Sequence, residues 1–175
     1  MEFKSCFDII GPIMVGPSSS HTAGVVSIGN FIYELLGGPP GYASITLYDS
    51  FSETHSGHGT DKALVGGMLG MRTNDSNIKS AVEFANKQGL NFDIQLQDYC
   101  PYFSHPNTVK VEAERHEYKI IAGGVSLGGG LSKIFLLNEK IVDIPISAND
   151  NVSTLVQSYT SYVKRQTSLG GSYED

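Results

Sequence analysis

Gly16-Pro17-Ser18-Ser19-Ser20-His21-Thr22 runs straight into Ala23-Gly24-Val25-Val26-Ser27-Ile28-Gly29-Asn30-Phe31-Ile32-Tyr33-Glu34-Leu35-Leu36, and this stretch decides how the chain is read. From Ala23 the apolar side chains fall at Val25, Val26, Ile28, Phe31, Ile32, Leu35 and Leu36. Offsets of three and four put one apolar stripe on one side of a helix. Gly37-Gly38-Pro39-Pro40-Gly41 stops it, as glycine and proline do just past a helix end. Where the helix starts, a single hydroxyl suffices to cap the orphan backbone N–H groups. Here Ser18, Ser19, Ser20 and Thr22 offer four, beside the imidazole of His21. Unpaired N–H groups and the positive end of the helix dipole favour an anion at that point. The stretch therefore reads as a helix start that receives a small carboxylate or phosphate.

Outward from this helix, short apolar leads at Phe3, Phe7, Ile9 and Ile10 precede it, and Ser44 to Tyr48 alternates as a β-branched strand. Asp49 to Gly59 reads as a loop ending in His58-Gly59-Thr60-Asp61. Ala63 to Met71 reads as a helix despite Gly66, Gly67 and Gly70. Each glycine costs such a helix about 1 kcal/mol against alanine, so a close neighbour is expected there. Asn77 to Lys87 is amphipathic and stops at Gly89. Strands are expected at Phe92 to Leu96, Val109 to Ala113, Tyr118 to Ile121 and Ile134 to Leu137, with Arg115-His116-Glu117 as a hairpin connection. The glycine-rich run Ala122 to Gly130 reads equally as a strand bend or as backbone lying close to a ligand. Val152 to Val163 reads as a terminal helix capped by Asn149 or Asp150.

Composition narrows the function classes. A chain of 175 residues is long enough for one domain with a real core. The net charge of -6, with no basic run, gives no electrostatic footing for nucleic acid. No stretch is apolar enough to span a bilayer and the N-terminus lacks a signal-peptide pattern, so no membrane partner and a cytoplasmic setting are expected. Cys6 and Cys100 stand alone rather than at metal-binding spacing, so this chain by itself is not expected to hold a metal.

Three polar groups remain: residues 16–22, His58-Gly59-Thr60-Asp61, and His105-Pro106-Asn107-Thr108. Each lies between elements and brings a histidine together with other hydrogen-bonding groups. Together they read as one convergent pocket titrating near neutral pH.

The segments FDIIGP (7–12), GPSSSHTAG (16–24), SFSETHSGHGTDKALVGG (50–67), HPNT (105–108) and SLGGG (126–130), in that order, resemble the beta chain of the iron–sulfur L-serine dehydratases. The resemblance covers about Phe7 to Ile144. It implies conversion of L-serine to pyruvate and ammonia, using a [4Fe–4S] cluster bound by the cysteines of a partner alpha chain. It also implies an α+β fold: a two-layer sandwich with helices packed on a mixed or antiparallel sheet, similar to the substrate-binding regulatory domain of some phosphoglycerate dehydrogenases. On this reading residues 1–148 form the beta-chain domain. Residues 149–175 form a C-terminal helix and tail in place of an ACT domain.

Dehydration of serine needs a base for the α-proton and a hold on the carboxylate. Ser18, Ser19, Ser20 and Thr22 suit the carboxylate, and Gly59, Thr60, Asp61, Asn107 and Thr108 complete the expected substrate-binding set. His21, His58 and His105 are the catalytic candidates, with Asp61 and Asn107 also placed to orient imidazoles. Which histidine takes the proton stays open. Many relatives carry lysine where this chain has Ser56, which leaves any carboxylate contact from that lysine missing or supplied from elsewhere, with His55 at hand. Two other classes compete: an allosteric serine-binding module, and a hydrolase using Ser19 or Ser20, which lacks a G-x-S-x-G elbow. The strip Val152, Leu155, Val156, Tyr159, Tyr162 and Val163 either docks on the chain's own sheet, as terminal helices often do, or forms an interface; a homodimer of the isolated chain is expected, since two-fold pairs are the commonest soluble oligomer.

Overall fold

A computed structural model describes residues 19–165, and for Ser19, Ser20, His21 and Ser56 the backbone alone. The architecture is an open mixed sheet of seven strands with five α-helices, as expected of an α+β sandwich. The strands are β1 (Tyr42–Tyr48), β2 (Asn91–Gln97), β3 (Thr108–Arg115), β4 (Tyr118–Gly128), β5 (Leu131–Leu137), β6 (Lys140–Ser147) and β7 (Lys164–Arg165). Their order across the sheet is β2-β1-β3-β4-β5-β6, and β7 pairs with the start of β4. Only the β1–β2 pair is parallel.

The quoted stripe builds the core. Helix α1 (Ser19–Leu36) buries Val25, Val26, Ile28, Phe31 and Ile32 completely or nearly so against the sheet. Beside it runs α3 (Thr60–Met68), in the same direction: Val26 and Gly29 meet α3 near Leu64 and Gly67, and Tyr33 meets Gly70. The expected close neighbour of the α3 glycines is α1 itself. A Cβ on Gly67 would lie 2.4 Å from the Val26 carbonyl oxygen, and one on Gly29 2.6 Å from that of Leu64. Asn30 Nδ2 adds bonds to the carbonyls of Gly67 (3.0 Å) and Met71 (2.8 Å).

Several elements differ from the sequence reading. The expected loop at 49–59 is a helix, α2 (Ser50–His58), closed by Gly59 in the left-handed conformation (φ 69°). Its one buried apolar residue, Phe51, leaves no helical period to read. Its polar side chains bond within the turn instead, Thr54 Oγ1 to the Ser50 carbonyl (2.6 Å) and Ser52 Oγ to that of Asp49 (2.8 Å). The Asn77–Lys87 helix is a 3-10 turn (Ser76–Ser80) followed by α4 (Ala81–Gln88). Strand β6 has no counterpart in the reading. It is an edge strand and so tolerates Pro145.

The glycine-rich run is strand and turn. β4 continues through it with register shifts at Gly123/Gly124 and Ser126/Gly128. A Cβ on Gly124 would stand 2.8 Å from Ile28, so at that position glycine lets α1 sit on the sheet. The terminal segment forms α5 (Val152–Val156) and then a 3-10 turn (Gln157–Tyr162). Asn151, rather than Asn149 or Asp150, caps α5 by accepting from the Thr154 N–H. Its apolar strip docks on the chain's own core: Val156 is buried and Tyr159 lies 6.2 Å, centroid to centroid, from Phe31. Val152, Leu155, Tyr159, Tyr162 and Val163 pack against that core while staying partly exposed.

On the opposite face of the sheet Tyr48, Cys100, Val125, Phe135 and Leu136 form a smaller cluster. Phe103 stacks on Phe135 at 4.9 Å and Lys133 Nζ stands 5.0 Å above Phe103.

Candidate active site

Sheet register brings the expected segments to one end of the molecule. β1 finishes at Tyr48 beside the start of β3, because Leu47 pairs with Val109. β3 starts beside the end of β4, because Thr108 pairs with Val125, and β4 ends beside the start of β5, because Gly128 pairs with Leu131. The connections at this end are therefore Asp49 onward, the segment before Thr108, and the Gly128-Gly129-Gly130 turn, whose three residues all have positive φ.

The helices aim their first turns at the same end. α1 reaches it through Gly24, whose added Cβ would lie 2.5 Å from Ser126 Oγ and 2.9 Å from the Leu131 carbonyl oxygen. α3, parallel to α1, begins there at Thr60. Backbone bonds knit the segments together: Phe51 N–H donates to the Pro106 carbonyl (3.4 Å), and Ser126 N–H to that of Asn107 (3.0 Å). Helix α2, the HPNT segment and the SLGGG segment thus touch one another through main chain. Ser126 was not among the expected site residues, yet it is fully buried at this junction; the SLGGG motif was the available signal.

The side chains differ in how tightly they are held. His58 is exposed at the last residue of α2, one residue before the left-handed Gly59. Thr60 is buried, and Asp61 lies in the first turn of α3. His105 is half-buried, and its Nδ1 accepts the Asn107 backbone N–H at 3.1 Å. Neutral His105 therefore carries its proton on Nε2. Thr108 is fully buried and donates its hydroxyl to the His105 carbonyl (3.2 Å), so it fixes the loop and is withdrawn from solvent. Thr22 is buried near the start of α1. The side chains of Ser19, Ser20 and His21 and the whole of Ser18 lie outside the described residues, although Ser19–His21 belong by backbone to the first turn of α1. His55 lies earlier on α2, its Nδ1 3.0 Å from the Ser52 carbonyl, to which it donates. On the other sheet face Tyr48 closes β1. Burial, with smaller contributions from Cys100 and Tyr102, pushes its phenol up to about 12.

Among the described residues no three His, Cys, Asp or Glu side chains stand close enough to hold a metal ion, and Cys100 is a buried free thiol. No helix among them is long and apolar enough to cross a membrane. What the site offers is hydrogen-bond donors at two helix starts, one imidazole at a helix end, one on a loop, and a carboxylate, which suits binding and proton transfer on a small polar molecule.

Comparison with known proteins agrees with this arrangement. The family model for the serine dehydratase beta chain matches residues 5–134, which take in the α1 start, His58 to Asp61, the HPNT segment and the SLGGG turn. A probable L-serine dehydratase beta chain of Bacillus subtilis is 43% identical over 138 residues, covering 79% of this chain and 62% of that protein. The L-serine dehydratase beta chain of Peptoniphilus asaccharolyticus is 40% identical over 163 residues, 91% of this chain and 70% of its own length. An L-serine dehydratase of Helicobacter pylori is 27% identical over 169 residues, 85% of this chain but 36% of that protein. The chain thus spans less than two thirds of the Bacillus protein and about a third of the Helicobacter one. With more than half of its length matched by one family model, the chain belongs to the serine dehydratase beta-chain family.

Proposed function

We propose that this chain is the beta subunit of a two-chain, iron–sulfur L-serine dehydratase that converts L-serine to pyruvate and ammonia. The observation that carries the reading is the convergence of the α1 start, the α2–α3 junction, the HPNT loop and the SLGGG turn at one sheet end. In this reading the carboxylate of L-serine sits at the start of α1. Ser18, Ser19, Ser20 and Thr22 are the residues assigned to that carboxylate, because a helix start with several hydroxyls suits an anion. Gly59, Thr60 and Asp61 bound the other side, and Asn107 and Thr108 hold the His105 loop.

The reaction removes the α-proton and the β-hydroxyl as water, leaving an enamine that tautomerises and hydrolyses to pyruvate and ammonia. His105, with Nδ1 accepting the Asn107 N–H, is a donor through Nε2. That role suits the acid or an orienting group. His58, exposed and untethered at the α2–α3 junction, and His21 are left as candidates for the base. A [4Fe–4S] cluster on the alpha chain supplies the Lewis acid for the leaving hydroxyl. This chain contributes no ligand set for it among its described residues. We place the enzyme in the cytoplasm, where thiols stay reduced. We expect the isolated chain to pair as a homodimer through the partly exposed strip Val152 to Val163, which light scattering on the chain and on a version ending at Ala148 tests.

Anaerobic co-expression with a cysteine-bearing alpha chain, followed by a pyruvate assay with each partner alone and with both, tests the proposal. Pyruvate from serine is expected only with both chains. Serine binding by this chain without turnover by the pair would favour an allosteric module, and activity of this chain alone would refute the assignment.

A further inference from the structure

Asp61 carries an oxygen that the fold leaves unpaired. Its Oδ1 is shielded from solvent and accepts no hydrogen bond. Among the described residues no Lys, Arg or His forms an ion pair with it, and Lys62 beside it in sequence is exposed. A carboxylate oxygen can only accept. Asp61 as a whole is half-buried, but a shielded acceptor such as its Oδ1 is almost always satisfied. The exception marks a place where a donor arrives from outside the chain. That place is one residue past the buried Thr60 and two past the left-handed Gly59, at the sheet end where the α1 and α3 starts come together.

We propose that Asp61 Oδ1 receives the α-ammonium group of the substrate, and that this contact makes the site select an amino acid over a hydroxy acid of the same size. The inference rests on the serine dehydratase reading and adds a division of labour to it. Asp61 takes the ammonium, and the carboxylate is left to the other groups of the site. The two charges of the zwitterion then fix the Cα–H bond toward the histidines. The α-hydroxyl of glycerate can still donate one hydrogen bond to Asp61 but carries no positive charge, so serine is expected to be preferred over glycerate by at least ~10²-fold.

The test uses the assembled two-chain enzyme and the variant Asp61→Asn, which keeps the shape and removes the charge. Two numbers are read for each protein: kcat/KM for L-serine, and the inhibition constant of glycerate, which has a hydroxyl in place of the ammonium. For Asp61→Asn, serine kcat/KM is expected to fall at least ~10²-fold, while glycerate binds as well as to the parent or better. Equal losses for serine and glycerate, an undiminished serine kcat/KM, or a variant that holds neither compound would each overturn the inference. Failure of Asp61→Asn to co-purify with the alpha chain would also overturn it, because the missing donor would then be a group on that chain. A parent enzyme that makes no pyruvate from serine refutes the dehydratase reading itself, a result distinct from all of these.

Discussion

The two ends of the sheet are built on different plans. At the far end the strands turn back tightly. β3 and β4 are joined through His116, with φ 53°, and β5 and β6 through Asn138, with φ 54°. Asn138 is also tied on both sides, its Oδ1 accepting the Ile121 N–H (2.9 Å) and its Nδ2 donating to the Tyr162 carbonyl. At the near end the β4–β5 turn is equally tight, but the connections that follow β1 and precede β3 are longer and rich in polar groups. Asp61 Oδ1 is buried there without a partner, and His58 is exposed. Asn138 at the far end satisfies the chain's own backbone, whereas at the near end His105 and Thr108 are bonded locally and Asp61 Oδ1 is left without a partner. Surplus hydrogen-bonding capacity, more than histidine count, is what separates a site from a turn.

The sharpest way to break this contrast is to exchange histidine for alanine at each end. In the assembled enzyme His58→Ala should lower kcat by at least ~10²-fold, the scale of a lost general acid or base, with little change in melting temperature. His116→Ala should leave kcat within about twofold, since nothing at the far end touches the chemistry. Equal damage from the two would abolish the distinction. Next in size is the link between the ends. Gly67→Ala must push α3 away from the Val26 carbonyl and should cost about 1–3 kcal/mol in chemical denaturation, the usual penalty for overpacking. It should also weaken activity, because the α1–α3 contact sets how the two helix starts face each other. Asn138→Ala should cost about 1–2 kcal/mol by orphaning two backbone groups, with kcat unchanged.

The smallest effect is confined to alkaline pH. Tyr48 ionises near 10 when unfolded and is pushed up to about 12 by burial. Its contribution is complete below pH 10 and is lost as pH rises toward 12, because the unfolded chain then releases a proton that the folded chain keeps. Tyr48→Phe should flatten that part of a stability-against-pH curve and leave neutral pH untouched.

What could be read directly from the residues follows from length and period. α1 is legible because its apolar stripe runs from Val25 to Leu36, about three turns, and the need for a close partner at Gly67 follows from glycine in a helix. α2 is not, because Phe51 alone faces the core and the turn is held by Ser52 and Thr54 bonding their own backbone. β6 escaped notice because an edge strand needs only one buried face and accepts Pro145. The tail read as a continuous helix because 3.6- and 3.0-residue periods diverge little over two or three turns. For the site, the residues were legible but their meeting was not. Which loops share a sheet end depends on the pairings Leu47 with Val109, Thr108 with Val125 and Gly128 with Leu131, and none of these is written locally. The unpaired state of Asp61 is likewise a property of packing alone.

Hydrogen exchange on the assembled enzyme in excess L-serine tests the shared site most directly. Backbone amides at Gly59 to Lys62, Asn107 and Thr108, and Gly128 to Gly130 should gain protection together, while those at His116, Glu117, Asn138 and Glu139 exchange as before. Protection at the far-end turns, or at only one of the near-end segments, would contradict a single serine site built where the four segments meet.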